Sequence, residues 1–170
     1  MYDIRHTKNE CGFTVAELLL ALAIAGMLLA AVAFAFNASV INYRQNENIF
    51  RTINSARQAM FRMISQLRTA DAVDPNSLTN ECSLITASGD DITYRYNSED
   101  NKLYLITNDD LTDSDYVLCD NVTAMTFTKD TVVEDSLIKV TSVQISITTA
   151  SGNVQQTVSA AAVIRRNLNR

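Results

Sequence analysis

From Leu18 to Phe36 the chain carries no charged residue, and this run constrains everything that follows. At about 1.5 Å of rise per helical residue it reaches roughly 28 Å, close to the hydrocarbon thickness of a bilayer. A helix over this segment is apolar on every side, which fits a membrane span rather than a half-buried surface helix. One carboxylate, Glu17, stands at its entrance. A carboxylate at the centre of a membrane helix costs about 2.5–3.5 kcal/mol on insertion scales, so an acid in such a segment calls for a partner or a function.

The residues around Glu17 supply a candidate partner. Gly12 and Phe13 precede it, and cutting the chain between them creates an α-amine about one helical turn from the carboxylate. That amine has a reference pKa near 8 and is positively charged at neutral pH. It can neutralise Glu17 within one chain, or Glu17 of one subunit can neutralise the Phe13 amine of the next. A third reading keeps Glu17 near the headgroups, where its side chain snorkels to water.

Gly12, Phe13 and Glu17 at this spacing, followed by the apolar run, resemble the amino terminus of the type IV pilin superfamily. The resemblance is specific over roughly the first thirty residues. It implies that residues 1–12 are a leader removed by a membrane-embedded prepilin peptidase, that Phe13 becomes the methylated first residue of the mature chain, and that Glu17 pairs with the Phe13 amine of a neighbouring subunit. Other pilin-like subunits and the membrane are the implied partners. An ordinary secretory signal places its apolar core before the cleavage site, whereas here the polar residues Met1 to Gly12 come first. A lipoprotein reading of Cys11 fails because Asn9-Glu10, not an apolar stretch, lies upstream. Arg5 and Lys8 in the leader favour a cytoplasmic amino terminus and hence an extracytoplasmic carboxy-terminal domain, and the resemblance implies that the membrane is the bacterial inner membrane and the domain periplasmic.

The expected organisation is a leader at 1–12, a transmembrane and assembly helix at 13–36, and a pilin-like domain at 37–170. Within that domain an amphipathic helix is expected over 37–70 and a β domain over 80–165. Ile49, Ile53, Ala56, Met60, Ile64 and Leu67 recur at intervals of three and four, while Arg51, Arg57, Arg62 and Arg68 mark the polar side. The spacing therefore predicts one helix continuing from Phe13 to Thr69, about 85 Å at the standard rise. Met60, Phe61 and Met63 are expected in the core. Asp71 to Asn80, with Asp74-Pro75-Asn76, reads as the helix stop and loop.

The remainder alternates. Ile92, Tyr94 and Tyr96 pair with Leu103 and Leu105 across the polar turn Asn97 to Asn101, the simplest hairpin. Met125 and Phe127 suggest another strand, and Val143, Ile145 and Ile147 lead through Ser151-Gly152-Asn153 to Val158, Ala160 and Ala162, a second hairpin. The fold class is α+β, with one face of an antiparallel sheet covering the amphipathic half of the long helix.

Of the 3 cysteines, Cys11 leaves with the leader; Cys82 and Cys119 remain, for an oxidising compartment. A disulfide between them would contribute about 3–4 kcal/mol in the chain-entropy model. The alternative is two buried free thiols.

Catalysis, cofactors and metals find no support. His6, the only histidine, lies in the leader, so the mature chain has no imidazole for a nucleophile pair or a zinc site. Asp109-Asp110-Leu111-Thr112-Asp113-Ser114-Asp115 lacks the glycine and terminal glutamate of a helix-loop-helix calcium site and reads as a solvated loop. Asn121-Val122-Thr123 matches a glycosylation sequon but reads as part of a strand, from its core-like neighbours. A net charge of −5 with no basic stripe argues against nucleic acid as a partner.

Within the superfamily, major subunits commonly carry a helix-kinking proline where this chain has Phe34. The pattern Val122, Met125, Phe127 and the ending Val163-Ile164-Arg165-Arg166-Asn167 resemble the J-type minor pseudopilins of type II secretion and their type IV pilus counterparts. Glu17 sets the chain apart from the K-type tip subunit, which typically lacks that residue. The resemblance thus implies a minor pilin-like or pseudopilin subunit. The alternative is an uncleaved single-pass membrane protein with an extracytoplasmic domain that binds a ligand or a partner.

Overall fold

The computed structural model describes residues 12–109, 115–134 and 136–165. Helix α1 runs without a break over Val15–Thr69. The strands follow as β1 (Ala72–Val73), β2 (Glu81–Ile85), β3 (Asp91–Asn97), β4 (Lys102–Thr107), β5 (Tyr116–Cys119), β6 (Val122–Glu134), β7 (Leu137–Ser151) and β8 (Val154–Val163). The architecture is α+β, as expected. The chain divides into two compact units, the first ending at Arg44 and the second running from Gln45 onward.

In the first unit every side chain from residue 12 to 39 is exposed, among them Leu19, Ile24, Leu29, Val32 and Phe36. This is the one helix among the described residues long and apolar enough to cross a membrane. No described residue covers it, as suits a helix that lies in lipid or among other helices.

In the second unit the helix is amphipathic. Ala56, Ala59, Met60, Met63 and Leu67 are buried, Ile49, Ile53 and Ile64 are half-buried, and Arg51, Arg57, Arg62 and Arg68 are exposed. Phe61 corrects the expectation of a core position: it is 74% exposed. One residue beyond Met60 is a 100° turn of the helix, which carries Phe61 from the buried face to the side shared with Arg57 and Arg68. After Thr69 the Asp71 N–H donates to the Ile85 carbonyl at 2.9 Å, and the segment read as pure loop contains the short strand β1.

The strands form two antiparallel sheets, not the single sheet expected. The first has the order β1-β2-β3-β4-β5 and the second β6-β7-β8. Both expected hairpins are present, with Ile92↔Thr107 through Asn97↔Lys102 in the first and Ser142↔Val163 through Ser151↔Val154 in the second. Gly152, at φ 60°, opens the two-residue turn between β7 and β8, where a type II′ geometry favours glycine. The switch between sheets falls at Asp120-Asn121, where Asn121 adopts φ 55° and the Val122 N–H turns back to the Asn101 carbonyl at 2.9 Å.

One core joins the elements of the second unit. Met63 and Leu67 meet Cys82, Leu84, Tyr94 and Leu103 from the first sheet and Val122, Phe127, Val143, Ile145 and Ile147 from the second. Lys129 fastens the sheets at their rim. Its ammonium donates to the Ser77 carbonyl at 2.5 Å, the Ser77 hydroxyl at 2.6 Å and the Leu78 and Glu81 carbonyls at 3.4 Å. Hydrogen bonds from a charged donor contribute about 1.5–3 kcal/mol each when well formed, so this side chain holds the 77–80 loop and the start of β2 against β6.

Candidate functional site at the amino terminus

Gly12, Phe13 and Thr14 precede the helix without regular structure, and Thr14 caps it. The Thr14 N–H donates to Glu17 Oε2 at 2.9 Å and the Thr14 hydroxyl donates to the same oxygen at 3.0 Å, while the Glu17 N–H donates back to Thr14 Oγ1 at 3.3 Å. The Thr14 carbonyl accepts the first helical bond, from the Leu18 N–H, at 3.2 Å. This is a capping box: threonine and glutamate, three residues apart, satisfy each other's backbone donors at a helix start. Sequence reasoning gave Glu17 a charge role only. The signal for the cap was present as Thr14-Val15-Ala16-Glu17 directly before an apolar run.

The cap sets what Glu17 can still do. Both bonds from Thr14 fall on Oε2, and a carboxylate has lone pairs on two oxygens, so it retains capacity for a second, cationic donor. Phe13 is 85% exposed and nothing lies within 4 Å of where a Cβ on Gly12 would sit. On its described side the Gly12–Phe13 peptide is exposed, and an amine at Phe13 would lie next to Thr14 and one turn from Glu17.

The cysteines tell a different story from the one expected. Cys82 and Cys119 are free thiols, both buried. They lie on β2 and β5 with β3 and β4 between them, three strand spacings or about 14 Å apart at the usual separation. A disulfide needs Cα atoms within about 7 Å, so the expected bridge is not formed in this fold. The two cysteines are 37 positions apart in a sequence that gave no strand order, and the oxidising-compartment argument could not see the intervening strands.

Burial pushes the Cys82 thiol up to about 11, against the pull of Lys129 and with a push from Asp74. Burial likewise pushes Cys119 to about 11, helped by Asp120, whose carbonyl accepts from Cys119 Sγ at 3.4 Å. Between the ordinary thiol value near 9 and about 11, the unfolded chain has lost protons that the folded chain retains, so stability falls as pH rises through that interval. Thiolate is the reactive form. Alkylation at pH 8 without reductant is therefore expected to label neither cysteine in the folded domain and both once it is unfolded in denaturant. A Cys82–Cys119 peptide in a non-reducing digest would overturn this.

The acidic stretch from Asp109 to Asp115 falls mostly outside the described residues. Asn121 of the sequon sits in the turn ahead of β6 and Thr123 within the strand, its hydroxyl donating to the Thr148 carbonyl at 3.3 Å. His6 and Cys11 also lie outside the described residues.

No curated protein and no solved structure matches the chain. Residues 7–33 do match a family model, described as the prokaryotic N-terminal methylation motif. This window contains Gly12, Phe13, the capping box and most of the uncovered apolar helix. Residues 7–33 thus carry a prepilin-type amino terminus, the kind that a prepilin peptidase processes, at the head of a helix long and apolar enough to cross a membrane.

Proposed function

We propose that this chain is a minor pilin-like or pseudopilin subunit of a type II secretion pseudopilus or of a type IV pilus tip or fibre. It is inserted in the bacterial inner membrane through residues 13–36, with residues 37–170 as a periplasmic domain. Prepilin peptidase removes residues 1–12, Phe13 is N-methylated, and Glu17 receives the Phe13 amine of the neighbouring subunit. Its work is structural.

The observation that carries this reading is the capped, Glu17-bearing helix whose side chains from 13 to 39 are all uncovered. In a span anchored only in lipid the acid does no more than cap the helix, whereas a bundle of such helices can also use its second oxygen to fix register through a charge-assisted hydrogen bond. Placement as a minor subunit is supported by α1 running uninterrupted through Phe34, with no proline to kink it.

The test is the mass of the protein extracted from membranes of cells with and without an active prepilin peptidase. The expected mature chain begins at N-methylated Phe13, and only the full-length chain appears when the peptidase is absent. A chain beginning at Met1 in both strains would instead support the uncleaved single-pass reading.

A further inference from the structure

Cys82 and Cys119 belong to one core, at 0% and 2% exposure, and stand on strands of one sheet. The whole of β3 and β4 lies between them, and the register adds an offset. Cys82 is opposite Tyr94, Tyr94 opposite Leu105 and Leu105 opposite Tyr116, so Cys119 lies farther along β5 than the position in line with Cys82. Three strand spacings alone amount to about 14 Å, against the about 7 Å that the Cα atoms of a disulfide tolerate. The intervening strands carry Tyr94 and Leu103, both fully buried in the same core.

The unfolded chain imposes no such separation. A loop of 37 positions closes at an entropic cost that grows only slowly with length, so the two thiols can meet. A disulfide formed at that stage holds residues 82 and 119 together, and β3 and β4 can then no longer insert between β2 and β5. The order of the first sheet is lost, and with it the core that Met63 and Leu67 share with Cys82, Tyr94 and Leu103. The folded chain resists the same reaction from the other side. Both thiols are buried, and burial keeps them protonated, whereas the attacking species in disulfide exchange is the thiolate.

We propose that Cys82 and Cys119 form a redox check on folding: the folded domain keeps them apart as thiols, and an unfolded chain that meets a disulfide oxidant is captured as a Cys82–Cys119 disulfide that cannot enter the native sheet. In the capture one protein thiolate attacks the oxidant's disulfide and releases one thiol. The second protein thiolate attacks the mixed disulfide so formed and releases the other. The protein loses two hydrogens, and the oxidant's disulfide is reduced to two thiols. Release needs a dithiol reductant that runs the exchange in reverse. The export reading above bears only on where the oxidant is met, because the exclusion between bridge and sheet follows from strand order.

The test uses the purified full-length chain in detergent micelles with Cys11→Ser, which leaves these two thiols. Oxidised glutathione is added at pH 8 to the folded chain and to the chain in urea, and the linked product is recognised by the loss of two hydrogens with no glutathione attached. Linking is expected to run at least about a hundredfold faster in urea, since thiols held near 11 rather than 9 present about a hundredfold less thiolate. The linked chain, isolated in urea and returned to urea-free micelles, is expected to exchange the backbone amides of β2 to β5 at least about tenfold faster than the reduced chain carried through the same steps. Dithiothreitol is expected to restore their protection. Native protection in the linked chain, linking of the folded chain as fast as in urea, no linked chain from urea, or protection that dithiothreitol fails to restore would each overturn the proposal. None of these outcomes depends on cleavage before Phe13, which the amino-terminal mass judges separately.

Discussion

Gly12→Leu is expected to leave the full-length chain in the membrane and to reduce the processed form more than about tenfold, a discrimination of about 1.4 kcal/mol or greater. The space around Gly12 makes this a clean experiment. A Cβ there meets no atom within 4 Å, so the added side chain costs the fold nothing and any loss belongs to recognition by the peptidase. Val15→Ala is a fitting companion, since Val15 is exposed and lies beyond the peptide to be cut. Immunoblots resolving precursor from mature chain would show the precursor alone for Gly12→Leu and the ordinary ratio for Val15→Ala. Normal processing of Gly12→Leu would move the cleavage site elsewhere and remove the charge partner proposed for Glu17.

The elements that were legible in the sequence are those whose pattern is local. The uncharged run from Leu18 and the three-four spacing of Ala56, Met60 and Leu67 each report a single helix, and both halves appear in one uninterrupted α1. The two hairpins were legible because Asn97–Asn101 and Gly152-Asn153 bring neighbouring alternating runs together. What the sequence did not carry was how those hairpins associate. Period-two alternation says that Tyr94 and Ile145 each face a core, and both do, but it is silent on whether they lie in one sheet or two. The Cys82–Cys119 expectation failed for the same reason, since a disulfide depends on strand order. Strand lengths were also hidden. Val132, Val133, Leu137 and Ile138 are exposed yet extend β6 and β7 well past the core, held by cross-strand pairing such as Val133↔Ile138 rather than by burial.

At the amino terminus the important residues were legible and their division of labour was not. Glu17 drew attention as a charge in an apolar setting, and Thr14 drew none. The geometry makes them one unit, because the same carboxylate oxygen that caps the helix would have to coexist with a cation from a neighbouring subunit.

That coexistence can be taken apart with two substitutions that exchange the roles. Glu17→Gln keeps an acceptor for the Thr14 N–H, and glutamine serves in a capping box as glutamate does, but it cannot neutralise an ammonium. Thr14→Val removes the hydroxyl that joins the cap and leaves the Glu17 charge in place. If pairing between subunits is what Glu17 contributes, Glu17→Gln is expected to leave insertion and cleavage before Phe13 intact. Its recovery in sheared filaments and its cross-linking to other pilin-like chains should then fall together by more than about tenfold, as expected when a charge-assisted bond is lost from a water-poor bundle. Thr14→Val is expected to assemble within about twofold of the parent, because a cap at the start of a long membrane helix is a small part of what holds that helix together. The opposite pattern, with Thr14→Val defective and Glu17→Gln normal, would assign Glu17 to helix capping alone. The comparison turns on charge and not on side-chain size, because glutamine and glutamate have nearly the same shape, so a defect confined to Glu17→Gln leaves the amine of the neighbouring Phe13 as the group that has lost its partner.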